Sequence, residues 1–174
     1  MSKITNNNGI HFNANLRNDL ELAECFIKSY IAAREGLTKL GILRSQRTLQ
    51  VDYAEWLCAK LLGLKLEPNL VQKGYDAKDD LGNTYQIKSR IVKSLYKNTS
   101  FDFRDIDLKF DYLLCVFLSP AFDLLAIACV PYKVVQELGT QTTTSFRFRW
   151  NKKTAKDSRI KWVFMNKNER NMEQ

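Results

Sequence analysis

The chain has 174 residues, the length of one domain, and 45% of them are hydrophobic, so a packed core is within reach and wholesale disorder is excluded. Twenty-seven Lys and Arg against 19 Asp and Glu leave a formal charge of +8, which favours a polyanionic partner such as nucleic acid or an anionic membrane surface. No run of about 18 apolar residues exists and residues 1–9 lack the apolar core of a secretory signal, so no membrane span and a cytoplasmic location are expected.

Residues 1–15 are polar and Asn-rich, with too little apolar area to offset the entropy of ordering them, and read as a flexible arm. The only histidine, His11, lies in this leader, and a single His builds neither a His-rich metal site nor a Ser-His-Asp triad. From Leu16, apolar residues at 20, 23, 26, 27, 30 and 31 recur at three- and four-residue steps, the face of a helix that ends before Gly36 or Gly41. This helical segment, residues 16–47, either packs on the core or pairs with a second subunit as a homodimer.

A second helix is expected over 49–62, stopped by Gly63, with Val51, Ala54, Cys58, Leu61 and Leu62 as its buried stripe. Glu55 falls on that stripe. A buried carboxylate needs a cation, a metal or a proton, although a glutamate at a stripe edge also reaches water or pairs with an arginine. After Pro68 the pattern becomes strand, turn and strand: residues 74–78, then Asp79 to Asn83, then 84–92. A three-residue loop, Asp80-Leu81-Gly82 with the glycine left-handed, sets Asp79 opposite Asn83, Lys78 opposite Thr84, Ala77 opposite Tyr85 and Asp76 opposite Gln86. Asp76, Gln86 and Lys88 then share one strand face, whereas a two-residue loop would shift the pairing by one and part Asp76 from Gln86. Polar strand faces are also common as plain solvated faces.

Residues 93–110 read as an irregular crossover with a short helix as an option. Two apolar runs follow, Tyr112–Leu118 and 124–130, joined by a turn at Pro120 short enough for antiparallel neighbours, and their continuous apolarity implies burial on both faces. Pro131 opens a helix, Tyr132–Leu138. Phe146, Phe148 and Trp150 then alternate with Arg147 and Arg149, and Lys161–Met165 is a final strand. Cys25, Cys58, Cys115 and Cys129 are far apart and in apolar runs, unlike the paired spacing of zinc sites, and read as reduced core residues. No repeat or linker marks a second domain. The expected architecture is α/β or α+β, a mixed central sheet flanked by helices within a single domain over 16–174, whose core spans 48–165.

Helix Glu55, then Gly-Tyr-Asp76, a nine-residue gap and Gln86-Ile87-Lys88 followed by Arg90 resemble the PD-(D/E)xK nuclease superfamily, the restriction-endonuclease-like fold; Gln86 in the acidic position is similar to its Mrr-like branch, D…QxK. The resemblance covers about residues 48–135. It departs from the family in having no Pro before Asp76 and an amide in place of the second acid. It implies a metal-dependent endonuclease acting on DNA, with Mg²⁺ or Mn²⁺ held by Asp76, the Gln86 amide oxygen, the Ile87 main-chain carbonyl and Glu55, directly or through water. Lys88 would orient the attacking water and stabilise the pentavalent phosphate. Such chemistry fits the groups: phosphodiester hydrolysis needs an activated water and neutralised charge, which a hard divalent cation supplies through oxygen ligands.

Charge is uneven along the chain: residues 1–80 hold 11 basic and 10 acidic groups, residues 81–174 hold 16 and 9. Arg90, Lys93 and Lys97 follow the site strand, and Arg147, Arg149, Lys152 and Lys153 form a second basic set, both suited to phosphates or simply to solvent. Trp150, in line with Phe146 and Phe148, reads as core before base-stacking platform. Two rivals remain open, a DNA-binding or scaffold protein that keeps the fold without catalysis, and an RNA nuclease.

Overall fold

A computed structural model describes residues 4–5, 11–12, 14–44, 48–68, 74–104 and 110–167. The chain divides into two compact units, Met1–Arg44 and Ser45–Gln174. In the first, β1 (Ile4–Thr5) pairs antiparallel with β2 (His11–Phe12), and α1 runs over Ala14–Lys39. The remainder of the expected arm lies outside the described residues. The helix ends just before Gly41, whose φ of 71° only glycine adopts without strain. Leu20, Phe26, Ile27, Tyr30 and Ile31, the stripe read from the sequence, are all exposed.

The second unit opens with α2 (Leu49–Leu62), stopped by a left-handed Gly63. Its strands are β3 (Lys65–Leu66), β4 (Ala77–Lys78), β5 (Thr84–Ile91), β6 (Thr99–Phe103), β7 (Tyr112–Leu118) and β8 (Leu124–Pro131), then, after α3 (Tyr132–Leu138), β9 (Gly139–Gln141) and β10 (Phe146–Trp150). A short α4 (Lys152–Ala155) and β11 (Lys161–Met165) complete it. Six strands form one mixed sheet in the order β11-β8-β7-β5-β4-β3, parallel only at β5–β7. Three more form a small antiparallel sheet, β6-β10-β9. The fold is mixed α+β with a mixed sheet flanked by helices.

The strand period of two splits the apolar residues of the large sheet into two cores. On one face Ile87, Leu114, Val116, Leu118 and Ile127 pack with Ala54, Leu57 and Cys58 of α2. On the other, Leu113, Cys115, Phe117, Ala126, Ala128 and Val130 meet the small sheet's Phe101, Phe103, Phe146, Phe148 and Trp150, together with Val134 and Val135 of α3. β7 is buried from Leu113 to Leu118, as an apolar run covered on both faces must be.

Several sequence-based boundaries shift. The segment 93–110 contains β6, whose partner β10 lies more than forty residues onward, a pairing local pattern does not encode. The strand expected over 74–78 is paired only at Ala77–Lys78, and β3 and β9 are additional. The buried face of α2 is rotated from the expected stripe: Asp52, Ala54, Glu55, Leu57 and Cys58 are buried, while Leu61 is 48% exposed and Val51 only half-buried. Among the described residues no helix is long and apolar enough to cross a membrane.

Candidate functional site

The β4–β5 hairpin has the register that a three-residue loop dictates: Ala77 faces Tyr85, Lys78 faces Thr84, and the Asp79 amide donates to the Asn83 carbonyl. Gly82 sits at φ 88°, the left-handed position that closes the loop. The Asp79 carboxylate accepts from the Leu81 and Asn83 amides at 3.0 and 2.9 Å and from the Tyr85 hydroxyl at 3.0 Å. Its bond from the Asn83 side chain, first among these contacts, holds its pKa below the ordinary carboxylate value. This network pins the turn, and the turn fixes what lies at the hairpin's other end.

There, the Asp76 amide donates to the Tyr85 carbonyl at 2.8 Å, the last rung before β4 gives way. The Asp76 carboxylate takes the next rung itself. Its Oδ2 accepts the Ile87 amide at 2.7 Å and the Gln86 side-chain amide as well. A carboxylate therefore occupies the ladder position where a main-chain carbonyl would stand. Because a strand residue directs its N–H and C=O to the same side, the Ile87 carbonyl faces this opening too.

Glu55 enters from α2 and is 2% exposed. It lies one turn from Cys58, whose thiol is pushed well above its ordinary pKa by burial first, then by the Glu55 charge, then by that of Asp76. One buried thiol thus senses both carboxylates, placing the helix acid and the hairpin acid in one neighbourhood. Lys88, two residues beyond Gln86 on the same strand face, carries its Nζ 5.1 Å from the centre of the Phe103 ring. Burial lowers its pKa, opposed by the Asp76 and Asp102 charges and reinforced by Arg90 and Arg104. Asp76 and Gln86 are thus joined at the end of β4 and Lys88 follows two residues along the same face of β5, whereas the buried Glu55 lies on α2, which packs on the Ile87 face of the sheet.

Asp52 was not singled out by sequence reasoning. It is wholly buried one turn before Glu55, and the i, i+3 spacing on α2 carries that signal. Gln50 is also linked to the sheet, donating to the Ser89 hydroxyl at 3.1 Å and so fixing α2 against β5.

Among the described residues, no three His, Cys, Asp or Glu side chains form a group able to hold a metal ion. The oxygen groups available are the Asp76 carboxylate and the Gln86 amide at the end of β4, the Ile87 main-chain carbonyl on β5 and the buried Glu55 carboxylate on α2. Such an all-oxygen set fits a hard cation that keeps several waters, Mg²⁺ or Mn²⁺, and does not fit zinc.

The basic residues divide. Arg90 lies over the Phe101 ring at 5.3 Å and 3.9 Å from Asp102, and Arg147 donates its Nε to Asp102 at 2.6 Å. These two are partly committed to a shared acid. Lys93, Lys97, Arg149, Lys152 and Lys153 are exposed and make no ion pair with another described residue. Trp150 is fully buried and donates to the Leu95 carbonyl at 2.8 Å, so it belongs to the core.

Comparison of the chain with family models and with curated proteins gives no match.

Proposed function

We propose that this protein is a Mg²⁺-dependent endonuclease that hydrolyses DNA phosphodiester bonds on a restriction-endonuclease-like core. The observation that carries the reading is the Asp76 carboxylate set in the sheet ladder at the end of β4, held by Gln86 and the Ile87 amide, with Lys88 two residues along the same strand face and a buried Glu55 on the neighbouring α2. A row of ionisable groups half-buried against an aromatic core costs stability, and such a cost is retained where the groups have work to do. The strand order supports the fold reading, since hairpin β4–β5 leads to a parallel β7. The connection departs from an αβββαβ plan, because β6 of the small sheet lies between the parallel strands and α3 follows β8.

In this reading Asp76 is the principal metal ligand, and Glu55, the Ile87 carbonyl and the Gln86 amide oxygen complete the protein's share. When bound, the cation lowers the pKa of water and neutralises charge developing on phosphate. Asp76 is oriented for that task by the hydrogen bonds from the Gln86 side chain and the Ile87 amide. Lys88, partly desolvated, places an ammonium to orient the attacking water and stabilise a phosphate oxygen. The excess of 16 basic over 9 acidic groups in residues 81–174 supplies attraction for the polyanion. The exposed stripe of α1 suits pairing with a second copy, which would give one site for each strand of a duplex.

One observation favours a rival, a DNA-binding protein without catalysis: the Gln86 amide donates to Asp76 and so takes a position on the carboxylate that a metal would use. Supercoiled plasmid incubated with the pure protein in Mg²⁺, Mn²⁺ or EDTA separates the two. We expect nicking with either metal and none in EDTA, with Asp76→Ala and Lys88→Ala each slowing it by about a hundredfold or more while remaining folded. Gel-shift binding without metal-dependent nicking would favour the rival, and cleavage of RNA in preference to plasmid would move the substrate to RNA.

A further inference from the structure

The alternation Phe146-Arg147-Phe148-Arg149-Trp150 turns three aromatic rings into the core and both arginines to the opposite face of the small sheet. At the end of that sheet lies a cleft of about 360 Å³, lined by Asn98, Thr99, Ser100, Arg147, Arg149 and Asn151. Trp150 also contributes to its lining and is anchored by the bond from its indole to Leu95. The register holds the lining in place, because Arg149 faces Ser100 and Trp150 faces Thr99 across the β10–β6 ladder. Among the described residues, no acid lines the cleft. Asp102 takes the Nε of Arg147, which fixes that guanidinium, while Arg149 makes no ion pair with a described residue. Two arginines among uncharged hydroxyl and amide groups form the donor set that sugar–phosphate backbone takes, with forked guanidinium groups matched to phosphate oxygens.

The same elements lead to the site at the end of β4. Lys88 lies over Phe103 at one end of β6, Arg90 over Phe101 at its middle, and Thr99 enters the cleft at its other end. Four residue steps of strand lead from Phe103 to Thr99, about 13 Å at roughly 3.3 Å per residue. That is about four base steps at roughly 3.4 Å of rise per step along one strand.

We infer that this cleft is a backbone subsite that holds the phosphates of DNA flanking the scissile bond, with Arg149 as its principal phosphate contact and Arg147, positioned by Asp102, as the second. The inference rests on the nuclease reading for its substrate, and its test needs no cleavage. A fluorescein-labelled duplex of arbitrary sequence is titrated with the full chain in EDTA at several salt concentrations. Arg149→Ala should weaken binding roughly tenfold at low salt. It should also reduce the slope of log affinity against log salt by about one phosphate contact. Arg159→Ala, which removes an arginine already paired with Glu137 and Asp157, should leave the slope unchanged.

An Arg149→Ala slope equal to wild type overturns the subsite even where Asp76→Ala abolishes nicking. An equal loss of slope in Arg159→Ala also overturns it, since the effect is then one of overall charge. A reduced slope confined to Arg149→Ala, in a protein that never nicks plasmid, upholds the subsite and removes the nuclease reading alone.

Discussion

β5 and β7 are parallel neighbours in one sheet, yet the face they share is composed in opposite ways. Across the register Gln86 lies beside Leu113, Lys88 beside Cys115 and Arg90 beside Phe117. The three β7 side chains are fully buried in the core against the small sheet. The three β5 side chains are polar, half-buried and supplied with partners: Asp76 for Gln86, the Phe103 ring for Lys88, Phe101 and Asp102 for Arg90. Apolar residues on β5 would extend the core with no desolvation cost. β5 gives up this gain beside a strand that takes it fully, which is the contrast expected where polar groups are kept for the proposed function at a cost in stability.

Removing a ring on the β7 side should produce the largest loss of stability. Phe117 packs against Phe101, Trp150 and Trp162 with ring centroids 5.8, 4.9 and 6.3 Å away. Phe117→Ala should cost about 3–5 kcal/mol in urea unfolding. A cost below about 1 kcal/mol would mean that β7 is not the centre of the fold.

The β5 side should respond in the opposite sense. Lys88→Met keeps the stem and removes the charge, and it should raise stability at neutral pH by about 1 kcal/mol, roughly 2–4 °C in Tm, while abolishing nicking. The pH dependence follows from the lowered pKa. Because the folded value lies below the unfolded one, the folded state binds fewer protons between the two, and the wild type gains stability as pH rises through that window. The advantage of Lys88→Met should therefore be largest below the folded pKa and shrink towards the ordinary lysine value of 10.5. A variant less stable than wild type at neutral pH would show Lys88 to be a structural residue.

The two strands also differed in how much could be read beforehand. β7 announces itself by an unbroken apolar run, and the hairpin by a glycine at the left-handed place of a three-residue loop; that turn sets Ala77 opposite Tyr85, and Asp76, just outside the paired strand, meets Gln86 through a side-chain hydrogen bond instead of a ladder pairing. The face of α2 was harder to judge. Burial there is set by what packs on the helix, so Asp52 is enclosed and Leu61 exposed, against hydrophobicity. The Asp102 link between Arg90 and Arg147 was out of reach, because it depends on β6 pairing with β10 across a long stretch of chain. Local periodicity reports which way a side chain points and not which distant strand it will meet.

Whether Asp76 and its neighbours form a divalent-cation site is decided by Mn²⁺ binding, measured as the loss of the free-ion EPR signal. Saturable binding to the wild type is expected, with its loss in Asp76→Ala and tighter binding in Gln86→Glu, where a second carboxylate replaces the amide that now donates to Asp76. Equal Mn²⁺ binding by the wild type and Asp76→Ala, or none by the wild type and Gln86→Glu alike, would contradict it.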